Sequence, residues 1–217
     1  MSETQNNYLN QTLPPNEEWV LEIEDQAIKD NVPIMDRVGI NFVMQLVRIS
    51  KPTCILEVGT AIGYSALRML QANPKTSIVT IERDEKRYQQ ALDNIKHQKK
   101  ESNIDVIFGD ALEELQHLEK GKFNLIFIDA AKGQYKHFFD LCLPLLSENG
   151  IIVTDNVLFR GFVANPESAP KRYRKMVDKL RDYNEYLMKH EDFHTTIIPI
   201  GDGVAVSYKK AKGRYHT

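Results

Sequence analysis

Cysteine is nearly absent from this chain: 217 residues hold only Cys54 and Cys142, each inside an apolar run (TCIL and LCLP). That excludes a disulfide framework and a thiolate metal centre, and leaves two small buried hydrophobes. No apolar run approaches the ~18 to 20 residues of a membrane-crossing helix, and the polar start MSETQNNYLNQT lacks the basic and apolar regions of a secretory signal. The expectation is a soluble cytoplasmic protein with no membrane partner. Repeats and low-complexity tracts are also missing, as is an excess of positive charge, since the formal net charge is -2. A generic nucleic-acid coat is therefore disfavoured. The six histidines are assigned no role.

What is present is a chain of 42% hydrophobic composition, enough to bury one full core, with its charge unevenly spread. Residues 1–30 carry seven acids against Lys29, whereas residues 160–181 carry seven bases against Glu167 and Asp178. A basic run of this kind is either a solvated helix face or a surface that meets a polyanion.

Two helices open the chain. NEEWVLEIEDQAIKD has Asn16 as its expected cap and Trp19, Ile23 and Ala27 at helical spacing, with Pro33 beyond its end; the second runs from about Asp36 to Ile49. The period then changes. Five short apolar strands follow, at 54–58, 77–82, 105–110, 124–129 and 150–155, separated by helical segments such as EKRYQQALDNIKHQ and QYKHFFDLCLPLL. Such alternation predicts a doubly wound, mostly parallel sheet of Rossmann-like type. Two strand-like runs around Gly201-Asp202-Gly203 predict a C-terminal antiparallel hairpin, and the tail KKAKGRYHT is expected to fray. The whole chain, 1–217, reads as one domain, a helical arm at 1–50 on a core at 51–210.

Ligands of open parallel sheets bind beyond the carboxyl ends of the strands, so the residues at those ends are the candidates. The first strand exits into EVGTAIGYS, where Gly59 and Gly63 suit either a tight turn or close approach of backbone N–H groups to a ligand; the spacing is neither a dinucleotide fingerprint nor a P-loop. Glu82 ends the second strand, where an acid can accept both hydroxyls of a ribose. Asp110 ends the third, where it can accept from an adenine amino group while Ala111 leaves room for the ring. Asp129, Lys132 and the pair Asp155-Asn156 close the fourth and fifth, converging oxygen ligands with one amine.

The runs ILEVGTAIGYSA, TIERD, GDA and IDAAKGQY, in this order, resemble the class I S-adenosylmethionine-dependent methyltransferases. Within them the chain is similar to the cation-dependent O-methyltransferases related to catechol and caffeoyl-CoA methylation, over about residues 32–208. The runs VPIM, GTAIGYSA, IDAAKGQY and TDNVLF are most similar to the bacterial tRNA 5-hydroxyuridine methyltransferases. The resemblance implies a donor site for S-adenosylmethionine at Met35, Gly59, Ser65, Glu82, Asp110, Ala111 and Asp129. It further implies an Mg²⁺ held by Asp129, Asp155 and Asn156, with Lys132 as the catalytic base, and assembly as a homodimer. Physically, two carboxylates and an amide are hard oxygen donors suited to Mg²⁺, and a nearby lysine can take the proton of an acceptor hydroxyl.

For the acceptor, the resemblance implies wobble 5-hydroxyuridine in the tRNA anticodon loop, converted to 5-methoxyuridine, and the basic cluster Lys171, Arg172, Arg174 and Lys175 follows the catalytic strand. A small-molecule catechol-type acceptor is the alternative. Tyr64, Tyr135, Phe159 and Phe162 are the aromatics available to stack on a base, Arg160 the residue available to a phosphate, and 159–170 the lid. The helix that follows is expected to pack Met176, Leu180, Tyr183 and Leu187 on the sheet and turn its bases outward.

Overall fold

The computed structural model describes residues 3–211. Its centre is a seven-stranded sheet in the order β3-β2-β1-β4-β5-β7-β6, made of β1 (Cys54–Val58), β2 (Ser77–Glu82), β3 (Ile104–Phe108), β4 (Phe123–Ile128), β5 (Leu146–Thr154), β6 (Phe193–Ile198) and β7 (Val204–Lys209). The first five pair in parallel, while β7 runs antiparallel between β5 and β6. The five strands and the closing hairpin thus stand where the residue pattern puts them. Chain order reverses between β1 and β4, which opens a crevice at their carboxyl ends.

Alternation along the strands explains why both faces are covered. Ile55, Leu125, Phe127 and Val153 face one layer, built from α2 (Glu18–Asp30), α3 (Arg37–Ser50), α4 (Tyr64–Ala72) and α5 (Glu85–His97). Leu56, Ile126, Ile128 and Ile152 face the other, built from α7 (Tyr135–Cys142) and α8 (Arg174–Lys189). Each such side chain contributes about 1.5 to 3 kcal/mol on burial. On α8, Val177, Leu180, Tyr183 and Leu187 are buried; Met176 is only half-buried, so Val177 takes the place expected for it.

Three local expectations are corrected. Asn16 does not cap α2: the cap is Glu17, without a side-chain bond, because Asn16 is drawn inward to donate to Glu24 and accept from Arg68. The polar start forms a further helix, α1 (Glu3–Thr12). At the other end Lys209 completes β7 and the Lys210 amide donates to Asp192, so the tail is held at least that far; the rest of the expected fraying, at 212–217, lies outside the described residues. The short α6 (Ala111–Glu114) follows β3. Among the described residues, no helix is long and apolar enough to cross a membrane.

Candidate active site

A cleft of about 950 Å³ lies at the carboxyl ends of β1, β2, β4 and β5; every residue expected to bind the donor, hold the cation or act as base lines it, whereas Gly63 does not. At one end is Glu82, buried and held by backbone donors: Oε2 accepts from Ala61, and Oε1 from Arg83 and Asp84, at 2.8 to 2.9 Å. Three backbone N–H groups fix this carboxylate before any ligand arrives. Asp110 lies nearby, but its Oδ1 caps α6 by accepting from Leu112, and its Oδ2 faces Arg83 at 3.6 Å. A ligand amino group would have to share it.

The turn after β1 explains its glycine. Gly59 has φ +104°, and a Cβ there would lie 2.1 Å from the Asp129 carbonyl oxygen. The residue is needed for the close passage of the β1 and β4 ends as much as for a ligand. Ser65 lines the cleft, yet its hydroxyl donates inward to Glu57, which also accepts from Thr80 at 2.6 Å. Glu57 is fully buried; burial raises its carboxyl to about 8, the two hydroxyls counteract this in part, and the charges of Asp129 and Glu82 raise it further.

The opposite end holds the carboxylates. The Asp155 amide donates to the Ile128 carbonyl at 3.0 Å, so Asp129 and Asp155 leave neighbouring strands together. Burial raises both carboxyls above the ordinary aspartate range, Asp129 raises Asp155 further, and Lys132 lowers both. Asp155 accepts from the backbone amide and side-chain nitrogen of Asn156 at 2.7 and 3.0 Å, which leaves the Asn156 side-chain oxygen as its remaining ligand atom. Asn156 adopts φ 58°, a conformation asparagine tolerates better than most residues. Two desolvated carboxylates and an amide oxygen beside one half-buried lysine fit a hard divalent cation, which would offset their mutual repulsion.

Several lining residues carry no signal in the strand-end pattern. Asn6 of α1 and Asp36, the cap of α3, border the cleft from the arm, and Arg83, Arg87 and the exposed Arg160 add positive charge along it. Glu57 is hidden inside an apolar strand. Of the aromatics considered for stacking, Tyr135 is buried outside the cleft lining, and Tyr64, also buried, gives its hydroxyl to Glu24 at 2.8 Å. Phe159 lines the cleft and Phe162 is half-buried beside it, both packed on Tyr173.

Comparison with known proteins agrees with this geometry. An O-methyltransferase family model matches residues 14–210. A protein of Arabidopsis thaliana provisionally named a caffeoyl-CoA O-methyltransferase is 33% identical over 170 residues, covering 76% of this chain and 73% of that one. A Staphylococcus aureus structure provisionally classed as a caffeoyl-CoA O-methyltransferase superposes with a TM-score of 0.87 at 36% identity, over 96% of this chain and 100% of its own. The S-adenosylhomocysteine-bound methyltransferase PaMTH1 of Podospora anserina gives 0.87 at 27% identity, over 97% of each chain. With sheet order, cleft and sequence in agreement, the chain belongs to the O-methyltransferase family.

Proposed function

We propose that this protein methylates a hydroxyl oxygen, with S-adenosylmethionine as donor and Mg²⁺ as cation, and that its acceptor is wobble 5-hydroxyuridine of tRNA, giving 5-methoxyuridine. The observation that carries the chemistry is the union, in one cleft, of a preorganised acidic nucleoside end at Glu82 with the Asp129, Lys132, Asp155 and Asn156 end. The S-adenosylhomocysteine in PaMTH1 supports the donor class.

In this reading Glu82 accepts from the ribose hydroxyls, its charge already oriented by three amides. Ala111 leaves space beside Asp110 for the adenine, and Met35, Gly59 and Ser65 border the methionine portion. The donor supplies an electrophilic methyl group, and the cation supplies Lewis-acid stabilisation of charge on the acceptor oxygen. Asp129, Asp155 and Asn156 would hold that cation. Lys132, three residues after Asp129, receives the acceptor's proton at Nζ. Because the transfer is an in-line displacement, the rest of the protein contributes alignment and exclusion of water.

The tRNA acceptor is supported by the basic segment after the lid. Lys171, Arg172 and Lys175 are exposed and make no salt bridge among the described residues. Arg172 stacks on Tyr173 at 4.6 Å, Tyr173 packs on Phe159 at 5.4 Å, and Phe159 lines the cleft, which ties the basic segment to the cleft wall through two aromatic contacts. A phenolic small-molecule acceptor is the second reading, favoured by the relatives named for caffeoyl-CoA. Incubation with labelled donor, Mg²⁺ and either undermodified tRNA or a catechol panel separates the two. Label in 5-methoxyuridine is the expected result; label only in catechols would overturn the tRNA assignment.

A further inference from the structure

The hydroxyl of Tyr135 has no hydrogen-bond partner among the described residues, although the side chain is only 1% exposed. Leaving a buried hydroxyl unpaired is costly, so a phenylalanine would serve packing better here. The neighbouring tyrosine shows the contrast. Tyr183 packs against Tyr135 with ring centroids 5.6 Å apart, and its own hydroxyl shares a hydrogen bond with Thr154 at 2.8 Å.

Tyr135 begins α7, three residues after Lys132 and six after Asp129. It does not line the cleft, whereas Asp129, Lys132 and Asp155 do; its ring packs on Tyr183, which bonds Thr154 next to Asp155, so it stands on the buried side of this end of the site. After burial itself, Asp129 and then Asp155 are the strongest influences on its hydroxyl, and both hold it in the neutral, proton-donating form. Asp155 already accepts two hydrogen bonds from Asn156, but the Asp129 carboxylate accepts none from the described residues.

We infer that Tyr135 is a positioning residue whose hydroxyl donates to the Asp129 carboxylate when the Asp129–Asp155 pair holds a divalent cation, which fixes the orientation of the ligand oxygens. The inference rests on the cation site proposed above. A donor behind a ligating carboxylate holds its rotamer and typically changes metal affinity by about 10- to 100-fold. The hydroxyl remains unpaired until the carboxylate turns toward it, which accounts for a tyrosine at this position.

The test is Tyr135→Phe on the full chain, with Mn²⁺ as the probe, free Mn²⁺ followed by electron paramagnetic resonance and unfolding by calorimetry. The expected result has three parts: a cation-free melting temperature equal to or above the native one, unchanged affinity for S-adenosylhomocysteine without cation, and Mn²⁺ affinity weaker by about 10-fold or more. A purely structural role would give the opposite pattern, a lower cation-free melting temperature or loss of folding with no separate change in Mn²⁺ affinity. That pattern, or equal Mn²⁺ affinity for native and variant proteins, overturns the inference alone. A native protein that binds no Mn²⁺ overturns the cation site, and this inference with it.

Discussion

Asp129 and Asp155 stand at the same level on neighbouring parallel strands, since Ile128 pairs with Thr154 and the Asp155 amide closes onto the Ile128 carbonyl. The sheet therefore holds two acidic groups together before any cation binds. Burial raises both carboxyls, and each must be ionised to ligate. Cation binding should release protons, and apparent affinity should rise as pH increases through the elevated carboxyl range. Calorimetric titration with Mg²⁺ in two buffers of different ionisation enthalpy measures that release; a pH-independent affinity would contradict it. Asp155→Ala should lose cation binding and activity together, as chelation should, while remaining folded.

Glu82 leads to a prediction about the donor. Its carboxylate is oriented by Ala61, Arg83 and Asp84 at no cost to the incoming ligand. Glu82→Ala should weaken S-adenosylhomocysteine binding by roughly 1.5 to 3 kcal/mol, the scale of hydrogen bonds to a charged group. Calorimetry is the measurement, and an unchanged affinity would remove Glu82 from the donor site.

Glu57 leads to a prediction about stability. Its carboxyl is raised from 4.5 to about 8 in the fold, so between those values the unfolded chain gives up a proton that the folded chain keeps. Native stability should fall as pH rises through this window, by on the order of 5 kcal/mol from this group alone, and level off above it. Glu57→Gln keeps the shape without the proton and should show a flatter decline. Denaturant unfolding at pH 5 and pH 8 compares the two, and parallel slopes would count against the assignment.

The parts of the molecule legible in the sequence are those governed by period and by strand ends. Near-continuous apolar runs such as NLIFI betray buried parallel strands, and Asp129 or Asp155 are conspicuous as charges that end them. Glu57 has the same chemistry but sits within a strand, where only the hydroxyls of Ser65 and Thr80, eight and 23 residues away, make its burial tolerable. Tyr135 is equally hidden, because an aromatic at the start of a helix reads as core until its hydroxyl is found without a partner. The helix α1 has no apolar stripe to announce it, and Asn16 is a plausible cap whose side chain is claimed instead by Glu24 and Arg68. Each of these depends on neighbours distant in sequence.

The acceptor is where the basic segment bears most weight. Four residues, Lys171, Arg172, Arg174 and Lys175, form the cluster in sequence, but the Arg174 guanidinium donates to the Ala169 carbonyl at 3.3 Å and so helps hold the lid. Lys179 and Arg181 are likewise committed, to the carbonyls of Gly133 and Val163. A test of phosphate binding should therefore neutralise Lys171, Arg172 and Lys175 and leave Arg174 in place. Removing one cation from a phosphate should reduce the slope of log affinity against log salt by about 0.7 to 0.9, so the triple variant should bind tRNA more weakly and with a flatter salt dependence. Free 5-hydroxyuridine lacks those phosphates and should be methylated equally, and poorly, by both proteins, because the substitutions lie outside the cleft lining. Filter binding across a salt series decides the matter. Identical slopes would make the cluster an ordinary solvated face, and a nucleoside turned over as well as tRNA would shift the assignment to the small-molecule reading.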